Sequence, residues 1–248
     1  MIYLKSDDEI KLMKIAGRIV AETLLKIEEV IKPGMTTKQL DSLAEEYIES
    51  RGARPSFKGY GGFPASICTS VNEEVVHGIP GDRVLMEGDI VSVDCGAVIN
   101  GYQGDAARTF PVGQISPEVQ NLIDVTRESF FKGIEYALVG KRLGDIGHSI
   151  QKYVEGNGYS VVRDYVGHGI GKKMHEDPPV PNYGRAGRGL KLEKGLVIAI
   201  EPMVNAGTYE VRQLKNGWTV VTKDGMPSAH YENTVAILDN GPELLTYI

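Results

Sequence analysis

With 248 residues, 42% of them apolar and 24% charged, the chain can bury a substantial core and is not a disordered segment. Its net charge of -6, from 33 acids against 27 bases, argues against stable nucleic-acid binding, although a local basic patch for docking on RNA is compatible with it. No run approaches the roughly 18 apolar residues of a membrane span, MIYLKSDDEIKLMK lacks a secretory signature, and Cys68 and Cys95 are too few for a disulfide framework, so a cytoplasmic protein is expected.

In chain order, Ser6 and Glu9 are placed for a capping box, and Ile10, Met13, Val20, Leu24, Ile27 and Ile31 recur at helical spacing. This predicts a helix from Ser6 to Lys32, stopped by Pro33 and Gly34. A second helix is expected from about Thr37 to Arg51, with Leu40, Leu43, Ala44, Tyr47 and Ile48 on one face and Gly52 as its stop. The chain then turns Gly-rich and strand-like. Residues 91–110, VSVDCGAVINGYQGDAARTF, contain an apolar run that ends on Asp94, and NGYQG predicts a hairpin presenting Asp94 and Asp105 on one face. Cys95 then points to the opposite face and reads as packing. After Pro111, Ser116 and Pro117 start a long helix, and another is expected from about Gly144 to Glu155.

The order repeats. Gly34 aligns with Gly140, Leu40 with Ile146, Tyr47 with Tyr153, Ile48 with Val154 and Gly52 with Gly158. EGDIVSVD (87–94) lies over KGLVIAIE (194–201), which superposes Asp94 on Glu201. Downstream, GDAARTFPVG resembles HYENTVAILDNG and pairs Asp105 with Glu232 if the second half holds an insertion of about twenty residues, which we place around Trp218. Two related halves, about 6–113 and 116–241, within one domain (1–248) then imply an α+β fold with pseudo-twofold symmetry. Four acids converge near its axis, where like charges need a counterion, and a pair of divalent metals is the cheapest. A lone ionised Asp in a buried strand is otherwise costly.

VGHGIGKKMHED (166–177) holds His168 and His175. A loop histidine is more often a surface group than a ligand, and the glycines do not fit phosphate-loop or dinucleotide spacing. Glycines would let the backbone approach metals closely, which makes His168 our fifth ligand. His77, in a Gly/Pro-punctuated loop, reads equally well as a surface turn. Cys68 reads as a buried structural thiol, and Met174 and Trp218 as core.

Asp94, Asp105, His168, Glu201 and Glu232, together with VGHGIGKKMHED, IEPMVNAG and WTVVTKDG, closely resemble type I methionine aminopeptidases of peptidase family M24 in their short bacterial form, from roughly Ile10 to Leu245. The resemblance implies the pita-bread fold, an antiparallel sheet with flanking helices and a central dinuclear site. It also implies removal of the initiator methionine from nascent chains whose second residue is small and uncharged. Asp105 and Glu232 would bridge two divalent ions (Co2+, Mn2+, Fe2+ or Zn2+), Asp94 would bind one, and His168 and Glu201 would complete the other, with Glu201 shuttling the proton. His77 and His175 then match histidines that contact the scissile amide and the tetrahedral intermediate.

Tyr60, Phe63, Cys68 and Trp218 match the family's methionine side-chain pocket. Met174 belongs with them but stands where many relatives have an aromatic, and His230 stands where a Gln is common. Asn72 and Ser228 match a monovalent-cation site. The implied partners are a peptide or nascent polypeptide and, transiently, the ribosome, with no membrane and a monomer as default. An X-Pro peptidase, the rival within the fold, usually carries an N-terminal domain for which a helix starting at about Ser6 leaves no room. The intact ligand types disfavour a metal-free binding module.

Overall fold

In the computed structural model, which describes residues 1–247, Ser6 opens the first helix as its spacing predicts. Its hydroxyl accepts from Glu9 N while the Glu9 carboxylate accepts from Ser6 N, capping α1 (Asp7–Val30). A second capping box, from Thr36 and Gln39, opens α2 (Thr37–Ser50). Three short strands follow, β1 (Arg54–Pro55), β2 (Ile67–Val71) and β3 (Glu74–Val76). The expected hairpin is β4 (Ile90–Ile99) and β5 (Tyr102–Pro111), turned by Asn100 and Gly101 at φ of 54° and 78°. Positive φ at both positions gives the turn the twist of the strands it joins.

β4 does not end at Asp94, as the apolar run suggested; it stays paired with β5 to Ile99. Asp94 opposes Ala107 and Gly96 opposes Asp105, so both carboxylates fall on one face as diagonal neighbours. Cys95 falls on the other, among Val91, Val93 and the apolar faces of α1 and α2.

α3 (Pro117–Ile134), capped by Ser116, and α4 (Leu143–Gly156) restate the first helix pair. The remaining strands are β6 (Ser160–Val161), β7 (Gly167–Gly169), β8 (Glu176–Val180), β9 (Val197–Ile200), β10 (Met203–Asn205), β11 (Val211–Gln213), β12 (Val220–Thr222), β13 (Ser228–His230), β14 (Asn233–Leu238) and β15 (Gly241–Leu244). The first-half sheet runs β1-β4-β2 with β5 on β4, and the second-half sheet runs β15-β14-β9-β7-β8. Each is built on a long antiparallel pair, β4 with β5 and β9 with β14. Against the second sheet, Leu122, Phe130, Ile146 and Ile150 of α3 and α4 meet Ile198, Ile200 and Val235. The inserted segment around Trp218 is the β11-β12 hairpin, which pairs with β3 of the first half.

The halves are stitched at the axis. Ala107 and Glu232 exchange backbone bonds of 3.4 and 3.0 Å. Thr234 Oγ1 donates to Asp105 O and accepts from Asp105 N, and Thr109 Oγ1 does the same for His230 O and N. The acids of one half are thereby held in register with those of the other.

Candidate metal centre and its cleft

Asp94 leaves the middle of β4, Asp105 leaves β5, His168 leaves β7, Glu201 follows the end of β9, and Glu232 sits between β13 and β14. Strand pairing brings all five together. His168 Nδ1 lies 2.8 Å from Gly169 O, so the ring donates there and its Nε2 lone pair faces Asp105 Oδ2 and Glu201 Oε1, each 3.7 Å away. Ligand atoms of Asp105, His168 and Glu232 lie within 4.8 Å of one another, and so do those of Asp94, His230 and Glu232. Glu232 belongs to both groups.

The acids share one electrostatic problem. Burial first, then repulsion from Asp105, drives Asp94 and Glu201 well above the usual carboxylate range. Glu232 rises for the same reasons, opposed only weakly by Arg108, and burial pushes Asp105 up to about 8. Asp94 Oδ1, Asp105 Oδ1 and Glu232 Oε1 are buried and accept no hydrogen bond. Unpaired buried acceptors that carry this much mutual repulsion fit a divalent-cation donor set: hard oxygens with one or two imidazoles.

The remaining histidines sit around these acids. His77 holds φ at 59°, a strained conformation for a non-glycine residue, and packs edge-on against Tyr165 at 5.6 Å. Burial, with His175 nearby, pushes its pKa down to about 4. His175 lies at the mouth of the cleft with its ring 4.2 Å from that of His168 and its Nδ1 2.8 Å from Tyr60 Oη. Desolvation, then His168, takes it to about 4 as well, although part of the ring reaches solvent.

The cleft over the acids has a volume of about 210 Å³. Tyr60, Phe63, Cys68 and Trp218 all line it, with Trp218 edge-on to Phe63 at 5.1 Å. Burial and Asp94 drive the Cys68 thiol upward, away from the thiolate that a nucleophile needs. Met174 does not line the cleft. It is 2% exposed, packed with Phe57, Phe63 and Cys68 under the cleft wall, where Gly96 leaves room for its Cε. Phe57, Val76, Tyr165, Val166 and Met203 are wall residues not anticipated from the sequence. Tyr165 and Val166 adjoin the GHGIG motif, and Met203 lies on the strand that follows Glu201, so adjacency was their available signal.

Asn72 and Ser228 are brought together, Ser228 N donating to Asn72 O at 2.9 Å. The Asn72 side chain is engaged by Asp89 and Ile90 N, and Ser228 Oγ donates to Val204 O. Arg108, a lone base in β5, is a further residue without a sequence signal. Its half-buried guanidinium donates to Ala107 O, Glu232 O and Asn233 Oδ1 and stacks 4.2 Å over Tyr231.

The family model described as Metallopeptidase family M24 matches residues 11–239. A methionine aminopeptidase of Clostridium acetobutylicum is 69% identical over 247 residues, 99% of each chain. Among solved structures, methionine aminopeptidase from Thermotoga maritima superposes with a TM-score of 0.98 at 49% identity over 100% of each chain. Prolidase from Pyrococcus furiosus superposes with a TM-score of 0.80 at 24% identity, with 99% of this chain matching 65% of that one, a likeness of fold alone.

Proposed function

The chain belongs to metallopeptidase family M24, with its α+β pita-bread fold, and from that premise we propose that it acts as a methionine aminopeptidase. It hydrolyses the first peptide bond of chains that begin with methionine and carry a small, uncharged second residue. The observation that carries this reading is the group of buried carboxylate oxygens, left without hydrogen bonds, on the floor of an apolar cleft.

Asp105 and Glu232 would bridge two divalent ions, with Asp94 on one and His168 and Glu201 on the other; Co2+, Mn2+, Fe2+ and Zn2+ all suit such donors. Bound there, the ions supply Lewis acidity and a water of lowered pKa. Glu201, as a carboxylate whose proton affinity burial and the neighbouring acids raise, receives the proton that the attacking water loses and delivers it to the leaving amine. His77 and His175, both held neutral, donate to the substrate. With Tyr60 Oη donating to His175 Nδ1, Nε2–H remains to meet the oxygen on which charge develops.

Phe63, Trp218, Tyr60 and Cys68 receive the thioether, a polarisable group suited to aromatic walls. About 210 Å³ lies below the roughly 300 Å³ at which drug-sized pockets begin, enough for one side chain and little beyond. One catalytic domain of two halves, working as a cytoplasmic monomer on chains leaving the ribosome, is the setting we infer, with a monovalent cation at the Asn72 and Ser228 turn. No helix among the described residues is long and apolar enough to cross a membrane.

The test is to strip divalent ions, add back Co2+, Mn2+, Fe2+ or Zn2+ singly, and assay Met-Ala-Ser, Met-Lys-Ser and Ala-Pro-Ser. Preferential cleavage of the first is expected. Turnover of the third alone would move the protein to the proline-specific branch, and silence with every ion would leave a binding module.

A further inference from the structure

We propose that His230 is a nitrogen ligand of the ion held by Asp94 and Glu232, so that each ion of the pair carries one imidazole. The inference rests on the dinuclear reading above and adds to it a residue that stands where a Gln is common.

His230 is 2% exposed, and its Nε2 is buried without a hydrogen-bond partner. An orphaned ring nitrogen of this kind needs a physical account. The nitrogen lies 3.8 Å from Glu232 Oε2, too long for a hydrogen bond. Two donors that each sit about 2.1 Å from a shared ion are separated by about 3 to 4 Å, which accommodates that gap. His168 stands at the same spacing, 3.7 Å, from Asp105 and Glu201. The two clusters are therefore alike: an imidazole, an aspartate and the common Glu232.

The backbone holds the ring in place. Thr109 Oγ1 accepts from His230 N at 2.8 Å and donates to His230 O at 2.9 Å, and His230 pairs with Met203 in β10. His230 is absent from the wall of the substrate cleft. An added imidazole moves this site from an all-oxygen set, which suits Mn2+ and Mg2+, toward Co2+, Fe2+ and Zn2+.

The decisive experiment is an anomalous-difference crystal structure of the Co2+-loaded wild-type protein, with Co2+ and Mn2+ titrations of wild type and His230→Gln by calorimetry. An ion within about 2.3 Å of His230 Nε2 is expected. So is a loss of Co2+ affinity at one site of about 10- to 100-fold in the variant, with a smaller loss for Mn2+. An active, ion-loaded enzyme with its ion beyond about 3 Å from Nε2, or with unchanged Co2+ affinity in the variant, would overturn the His230 assignment and leave the aminopeptidase reading standing. A wild-type protein that binds no divalent ion would remove both.

Discussion

Asp105 and His77 sit close to the same cleft and have opposite dependencies on metal. Asp105 is a buried acid with an unpaired oxygen, clustered with His168 and Glu232. Asp105→Asn keeps its shape and removes the charge that the cations need, so ion affinity measured by calorimetry should fall about 10- to 100-fold or more, and hydrolysis of Met-Ala-Ser should fall with it. Among the described residues His77 approaches no carboxylate within salt-bridge distance, and it would act as a donor to substrate. His77→Ala should lower kcat by about 10²- to 10³-fold with the ion content unchanged by elemental analysis. Ion loss in that variant would instead place His77 among the ligands. The four acids were legible from the sequence because the repeat doubles them, and His168 because it sits in the Gly-rich VGHGIGKKMHED segment. The φ of 59° at His77 and the burial of His230 Nε2 without a hydrogen-bond partner were not, since both are set by the folded surroundings rather than by spacing along the chain.

β5 owes its position to the near-contact of two glycines. A Cβ on Gly104 would stand 2.7 Å from Gly17 N and 2.8 Å from Gly17 Cα, which are backbone atoms of α1 and cannot swing away. Gly104→Ala must therefore push the strand off the helix, at a cost of about 3 kcal/mol, the upper end for overpacking. Because Asp105 is the next residue, the same shift should weaken ion binding, so urea unfolding and calorimetry should move together. A variant as stable as wild type would show that the α1–β5 approach is soft. At this scale the sequence carried the helices, through periodicity and caps, and the β4–β5 register, through Asn100 and Gly101. It did not carry β6, β10 and β13, which are two or three residues long and defined by pairing Ser160 with Asn205 and Asn205 with Ser228. Such ladders have no local pattern. Asp94, too, looked like a strand end because apolarity stops there, whereas pairing with β5 continues.

Across the whole molecule, the duplicated helix pair and strand pair were visible as aligned residues, but the stitches between the halves at Thr109, Thr234 and Arg108 were not. Those stitches force four acids together, and the consequence is a stability that depends jointly on pH and metal. Asp105 ionises near its usual value of 3.8 in the unfolded chain and near 8 in the fold, and Asp94, Glu201 and Glu232 shift in the same direction. Below about pH 4 both states hold these protons and the cluster costs no charge. As the pH rises toward 8 the unfolded chain releases protons that the fold retains, so the metal-free protein loses stability across that window. Divalent ions reverse the sign, because they bind the deprotonated acids and compete better as protons become scarce. The rise in Tm on replacing EDTA with Mn2+ should therefore be small at pH 5.5 and larger at pH 8, as read by differential scanning calorimetry. Taking the difference at each pH cancels the surface groups, such as Asp8 with Lys11, whose titration is the same with and without ions. An equal rise at both pH values would mean that the four carboxylates titrate independently of the ions, and that the axis of the molecule is held by its hydrogen bonds alone.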